Sequence, residues 1–117
     1  MTHNEMMEKL RDDSIKNEEL ADCLNSKIFN IVGMSIFTIM ERRYCDKSIR
    51  KALAEIAPKL SGYKAVGPYQ IGHLAIAALF LVNDRSSIEC FTHIYKKLNS
   101  TDQFLVDNFI EKYNEAQ

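Results

Sequence analysis

Three histidines and three cysteines carry most of the reactive chemistry available to this chain. His73 lies near the start of the apolar run Ile71–Val82, and a histidine in such a pocket can act as a general base. No acid or nucleophile accompanies His73 in the sequence, so we predict a core histidine bonded to a carbonyl or a tyrosine hydroxyl. His93 is predicted on an outward helical arc, with Glu89 four residues before it as a surface partner.

The cysteines Cys23, Cys45 and Cys90 are odd in number and no two are close in sequence. This favours three reduced thiols, typical of a cytoplasmic protein, over a disulfide framework. A Cys–His catalytic pair is an alternative, because such partners meet in space, but no cysteine has a neighbouring activation motif. The sequence shows no catalytic constellation, metal-ligand spacing or phosphate-binding glycine loop. We therefore expect no enzymatic activity, no metal and no cofactor.

Five basic residues fall within ten positions of each other: Arg42, Arg43, Lys47, Arg50 and Lys51. They are candidates for binding an acidic protein partner or nucleic acid. The first two also fall in the last turn of a predicted helix, where cations compensate the helix dipole. A sequence pI near 6.3 argues against nucleic acid as the partner.

Acidic residues concentrate in the first 25 positions, which carry a net charge of −4, whereas residues 26–65 carry +5. The carboxylates predicted to contact a basic partner are Glu8, Asp12, Asp13, Glu18 and Glu19. Such asymmetry can mark interaction surfaces. It can equally mean that the first segment packs beside the second and neutralises it.

These features predict a non-enzymatic helical protein that acts by binding another protein, as an inhibitor, an immunity-type neutraliser of a toxin, or an adaptor. The alternative is a helical nucleic-acid-binding or regulatory protein that uses the basic cluster at 42–51. A small-molecule pocket between the two apolar runs is a third hypothesis. Usage rich in lysine, asparagine and isoleucine suggests a microbial or viral source.

The elements that must position these residues are helices, two of which are nearly free of charge. Ile28–Met40 and Ile71–Val82 hold 13 and 12 residues, fewer than the roughly 18 to 20 that a bilayer requires. We therefore predict buried core helices over about 27–44 and 69–82, and no membrane span. The polar N-terminus predicts no secretory signal.

The remaining helices are predicted from amphipathic spacing and capping residues. Thr2 with Glu5 has the form of a capping box and opens a short first helix, and Asp13 or Ser14 caps a second. Ser26 caps the helix from 27, and Asp46 caps one that ends near Pro58. Two further capping-box matches, at Ser86 and Ser100, open the last two helices.

The segment 61–68 is predicted to be a loop, with Pro68 in the first turn of the following helix. Gly72, Ala75 and Ala78 form a row of small residues that we expect to pack closely against Gly33 of the other apolar helix. No strand pattern is present. The sequence thus predicts a single all-α domain over 1–117, an irregular or orthogonal bundle of six to seven helices around two central ones.

Overall fold

Seven α-helices and one small antiparallel hairpin make up the computed structural model, which describes all 117 residues. The helices are α1 His3–Arg11, α2 Leu20–Leu24, α3 Phe29–Arg42, α4 Lys47–Ile56, α5 Ile71–Leu81, α6 Arg85–Tyr95 and α7 Ser100–Ala116. The hairpin pairs β1 Lys64–Val66 with β2 Tyr69–Gln70. The predicted all-α bundle of six to seven helices is confirmed. None of the helices combines the length and the apolar character that crossing a membrane requires.

The centre of the bundle is α5, whose residues 71–79 are all buried. A helix that is apolar on every side must be surrounded, and α5 contacts α3, α4, α6 and α7. The radius of gyration is 13.2 Å, close to the roughly 13 Å expected of a compact chain of this length.

The second central helix, α3, is buried on one side only. Ile31, Ile36 and Ile39 of its inner face are fully buried. Phe29 is exposed, and Gly33 and Phe37 are half-buried on the opposite side. The apolar residues around the whole circumference of α3 therefore do not all enter the core.

The predicted caps of α1 and α4 are confirmed. Thr2 and Glu5 form the reciprocal capping box, and the Asp46 carboxylate accepts the Ile49 amide at 2.8 Å. The predicted cap of the second helix is wrong. Asp13 adopts a positive φ of 59°, and the Asp12 carboxylate accepts the Ser14 amide. These residues make a turn, and α2 begins only after a 3₁₀ turn at Asn17–Glu19.

Three other predicted caps lie one or two residues from the observed ones. Ile28, and not Ser26, is the N-cap of α3, while the Ser26 hydroxyl accepts the Ile28 amide. Asn99, and not Ser100, caps α7. Asp84, and not Ser86, caps α6, and Glu89 pairs with Arg85 rather than with His93. In α6 and α7 the N-cap is an aspartate or asparagine with extended backbone just before the first turn. It takes this position in preference to a serine that lies within the first turn.

Replacing Asp84 by alanine is expected to lower the free energy of unfolding by about 1 to 2 kcal/mol. The Asp84 carboxylate accepts both the amide and the hydroxyl of Ser87, at 2.8 and 3.0 Å, and Ser87 is fully buried. Ser86→Ala is the control, because Ser86 is exposed and caps nothing. Urea unfolding followed by circular dichroism measures both variants. Equal losses would contradict the assigned cap.

The segment predicted as a loop contains the hairpin, so the prediction of no strands is wrong there. The chain reverses at Gly67, whose φ of 52° suits glycine. Pro68 lies in that turn and not in the first turn of α5, which begins at Ile71. Strands of two and three residues are too short to show an alternating pattern.

Close packing at the small-residue row is observed, but with a different partner. A Cβ on Gly72 would lie 2.5 Å from the Ala57 carbonyl oxygen and 2.7 Å from that of Lys59. The backbone that approaches Gly72 is therefore the segment directly after α4, and not α3. The expectation that Gly33 faces this row is wrong, because no atom of another helix lies within 4 Å of a Cβ built on Gly33.

Candidate functional site

A groove of about 720 Å³ runs along the outer side of α3, between α1 and the hairpin. We call it the α1–α3 groove. Its α3 wall is a stripe from Phe29 to Glu41, a distance of about 18 Å along the helix. The full lining is Met7, Leu10, Arg11, Asp13, Phe29, Asn30, Gly33, Met34, Phe37, Thr38, Glu41, Ala65 and Leu74. The groove thus combines an apolar surface with charged side chains, and can accept a segment of chain.

Gly33 leaves the middle of this groove without a side chain. It lies inside α3, where glycine costs about 1 kcal/mol relative to alanine. Nothing in the molecule packs into the space that its missing Cβ leaves. The half-buried Met34 and the exposed Phe29 flank the gap. The backbone of α3 is therefore accessible to another molecule at this position.

Apolar side chains continue from the groove to the hairpin end of the molecule. Ile28 and Phe29 are each 39% exposed, and Tyr63 is 44% exposed. Phe29 also lines a second depression of about 310 Å³ with Tyr63, Lys27 and Lys59. Since no carboxylate lines that depression, this end of the groove is apolar and positively charged.

His73 is a buried structural residue with both ring nitrogens occupied. Its side chain is 1% exposed, and Nδ1 accepts the Gln70 amide at 2.9 Å. The ring proton is therefore on Nε2, which donates to the Asp102 carboxylate at 2.9 Å. The predicted core histidine is confirmed, but its partner is an acid and not a carbonyl or a tyrosine. Neither nitrogen is left to take a proton from a substrate.

The three cysteines are free, and none has the character of a nucleophile. Burial raises the pKa of the Cys23, Cys45 and Cys90 thiols. A thiol with a raised pKa is protonated at neutral pH, whereas nucleophilic catalysis requires the thiolate. The structure also contains no group of three or more side chains arranged to hold a metal ion.

The five basic residues predicted to bind a partner do not form one free surface. Arg42 lies 2.7 Å from the Asp13 carboxylate and also donates to Asn17. Arg43 donates to the carbonyl of Leu81 at the end of α5. Arg50 is half-buried, whereas Lys47 and Lys51 are exposed and outside every ion pair. Partner binding by these residues stays a prediction, and two of the guanidinium groups already stabilise the fold.

Several of the acidic candidates also have partners within the chain. The Lys16 backbone amide, with Lys9 beside it, lowers the pKa of Glu19. The Ser14 hydroxyl and amide lower the pKa of Asp12. Asp13 joins the acidic segment to the basic one through Arg42, as expected if the two segments partly neutralise each other. Glu8 and Glu18 are exposed and outside every ion pair, and their role in binding stays a prediction.

The α1–α3 groove was not predicted from the sequence. The signal that marks it is the stripe Phe29, Gly33, Phe37 and Glu41, at spacings of four residues, which places a gap and a charge on an otherwise apolar helix face. The sequence predicted a small-molecule pocket lined by both apolar runs. Six residues of Ile28–Met40 line the groove, but only Leu74 of Ile71–Val82 does, so the groove lies along the first run rather than between the two. No family model, curated protein or solved structure matches the chain.

Proposed function

We propose that this protein is a non-enzymatic binding protein whose α1–α3 groove receives an amphipathic helix of a protein partner. The observation that carries the proposal is the empty space at Gly33 in the middle of the α1–α3 groove, whose lining is both apolar and polar. Glycine inside a helix lowers the stability of that helix, and no contact within the molecule compensates for this loss at Gly33. Close approach of a partner's backbone at Gly33 compensates for it.

The dimensions of the groove favour a helix of about three turns. Its α3 wall is about 18 Å long, which corresponds to roughly 12 helical residues of the partner. A helix that lies in a groove contributes apolar anchors at spacings of three and four residues. Met7 and Met34 line the groove, and flexible thioether side chains adapt well to such anchors.

Charges outside the groove fit the same function. Lys47, Lys51, Glu8 and Glu18 are exposed, and exposed charges mainly raise association rate and specificity. An inhibitor, a toxin neutraliser and an adaptor all act in this way, by occupying or linking a partner. We place the protein in the cytoplasm because its three thiols are free.

Filling the groove with a leucine at position 33 is expected to reduce partner capture at least tenfold. The new Cβ of Gly33→Leu meets open space and the rest of the side chain extends into the groove, so we expect the fold to be retained while the docking surface is closed. Immobilised wild type and variant are compared for capture of a stoichiometric protein from nuclease-treated lysate of the native host. Thr101→Leu is the control, because it adds the same side chain at an exposed position of α7.

Two outcomes would overturn the proposal. Wild type that captures no stoichiometric protein at either low or physiological salt contradicts protein binding. Equal capture by Gly33→Leu and Thr101→Leu contradicts the groove. The nucleic-acid alternative predicts instead salt-sensitive retardation of nucleic acid in a mobility-shift titration, lost when Lys47 and Lys51 are changed to glutamate.

A further inference from the structure

A second surface lies where the end of α5 meets α6 and α7. It is a cleft of about 360 Å³ lined by Phe80, Phe91, Tyr95, Asp107, Ile110 and Glu111. None of these side chains lines the α1–α3 groove. We call it the aromatic cleft.

Three aromatic rings follow each other along this cleft. The Phe80 and Phe91 centroids are 5.1 Å apart, as are those of Phe91 and Tyr95. The planes of the latter two rings are only 26° apart, so their faces are nearly parallel. Phe80 is 38% exposed. An exposed aromatic face carries negative electrostatic potential and attracts a cation.

The lining also includes the carboxylates of Asp107 and Glu111, and it contains no basic side chain. Tyr95 donates its hydroxyl to Asp107 at 2.7 Å, and this bond raises the pKa of Tyr95. Gln103 of α7 donates to the Tyr95 carbonyl at 3.0 Å. These two bonds fix α6 against α7, so the carboxylate and the rings are held in place before any ligand arrives. Neither Asp107 nor Glu111 takes part in an ion pair within the chain.

We propose that the aromatic cleft binds an arginine side chain of a protein partner. A guanidinium group is planar, stacks on aromatic faces and donates to carboxylates at its edge. The exposed ring of Phe80 offers the face, and Asp107 with Glu111 offers the acceptors. Phe104, which is 64% exposed, lies on the same stripe of α7 as these two acids. It supplies apolar surface for the residues of the partner that flank the arginine.

The test is a titration of the ¹⁵N-labelled full chain with a blocked tripeptide that carries arginine between two alanines. We expect saturable shifts confined to amides around Phe91, Tyr95 and Glu111. The matching citrulline peptide has nearly the same shape without the charge, and is expected to cause none. Glu111→Gln and Phe80→Leu are each expected to weaken binding about two- to fivefold.

Glu115→Gln is the matched control, since it removes a charge from the same helix at an exposed position outside the cleft. It is expected to bind like wild type. The proposal is overturned if citrulline and arginine peptides give the same shifts, if no saturable shift appears, or if the shifts map elsewhere. Affinity unchanged in both Glu111→Gln and Phe80→Leu, whose folds the same spectra report, overturns it as well.

Discussion

Replacing Gly72 by alanine is expected to lower the free energy of unfolding by about 3 kcal/mol. The added Cβ would lie 2.5 Å from the Ala57 carbonyl oxygen, 2.7 Å from that of Lys59 and 2.9 Å from the Leu60 side chain. Two of these atoms belong to the backbone, so relief requires the segment directly after α4 to move. Such a movement also strains the hydrogen bond from the Gly72 amide to the Lys59 carbonyl, which is 2.9 Å long.

Gly33→Ala is the matched control, because it makes the same chemical change in the other central helix. No atom lies within 4 Å of its new Cβ, and alanine favours helix over glycine by about 1 kcal/mol. Gly33→Ala is therefore expected to raise stability by up to about 1 kcal/mol. Urea unfolding of both variants measures the difference. If Gly72→Ala is as stable as wild type, the close approach of α4 and α5 is contradicted.

Local signals were sufficient to predict most of the helices. The buried run Ile71–Val82 and the spacing of Ile49, Leu53 and Ile56 depend only on residues within one helix, and α5 and α4 lie where they predict. Caps were less predictable, since two candidate residues often stand within two positions of each other. The choice between Asp84 and Ser86 depends on where the chain turns after α5.

The contacts between helices could not be predicted in the same way. His73 and Asp102 are 29 positions apart, and nothing in the sequence associates them. Gly33 and Gly72 both lie in apolar stretches of the sequence. In the structure Gly33 leaves a gap in the α1–α3 groove, whereas Gly72 allows the backbone of Ala57 and Lys59 to approach α5. Likewise the basic cluster is continuous in the sequence, yet Arg42 of the folded chain pairs with Asp13, whose position depends on the turn after α1. Each of these properties depends on the relative placement of helices.

Replacing His73 by alanine is expected to lower the free energy of unfolding by about 3 kcal/mol. The imidazole is 1% exposed, so its removal leaves a cavity next to the start of α5. The Gln70 amide loses its acceptor, and Asp102 loses the donor that ties the first turn of α7 to α5. Denaturant unfolding followed by circular dichroism measures the loss.

A double-mutant cycle separates the His73–Asp102 bond from the cavity. Asp102→Ala alone is expected to cost about 2 kcal/mol, since it removes the acceptor of a buried donor. The double variant should be about 1.5 kcal/mol more stable than the two single losses together predict, because the bond can be lost only once. Asp102→Asn, which keeps an oxygen that can accept from Nε2, should cost less than Asp102→Ala. Losses that add to within about 0.5 kcal/mol would mean that the two side chains stabilise the fold independently. A coupled loss would make His73 the residue that joins the start of α5 to the start of α7.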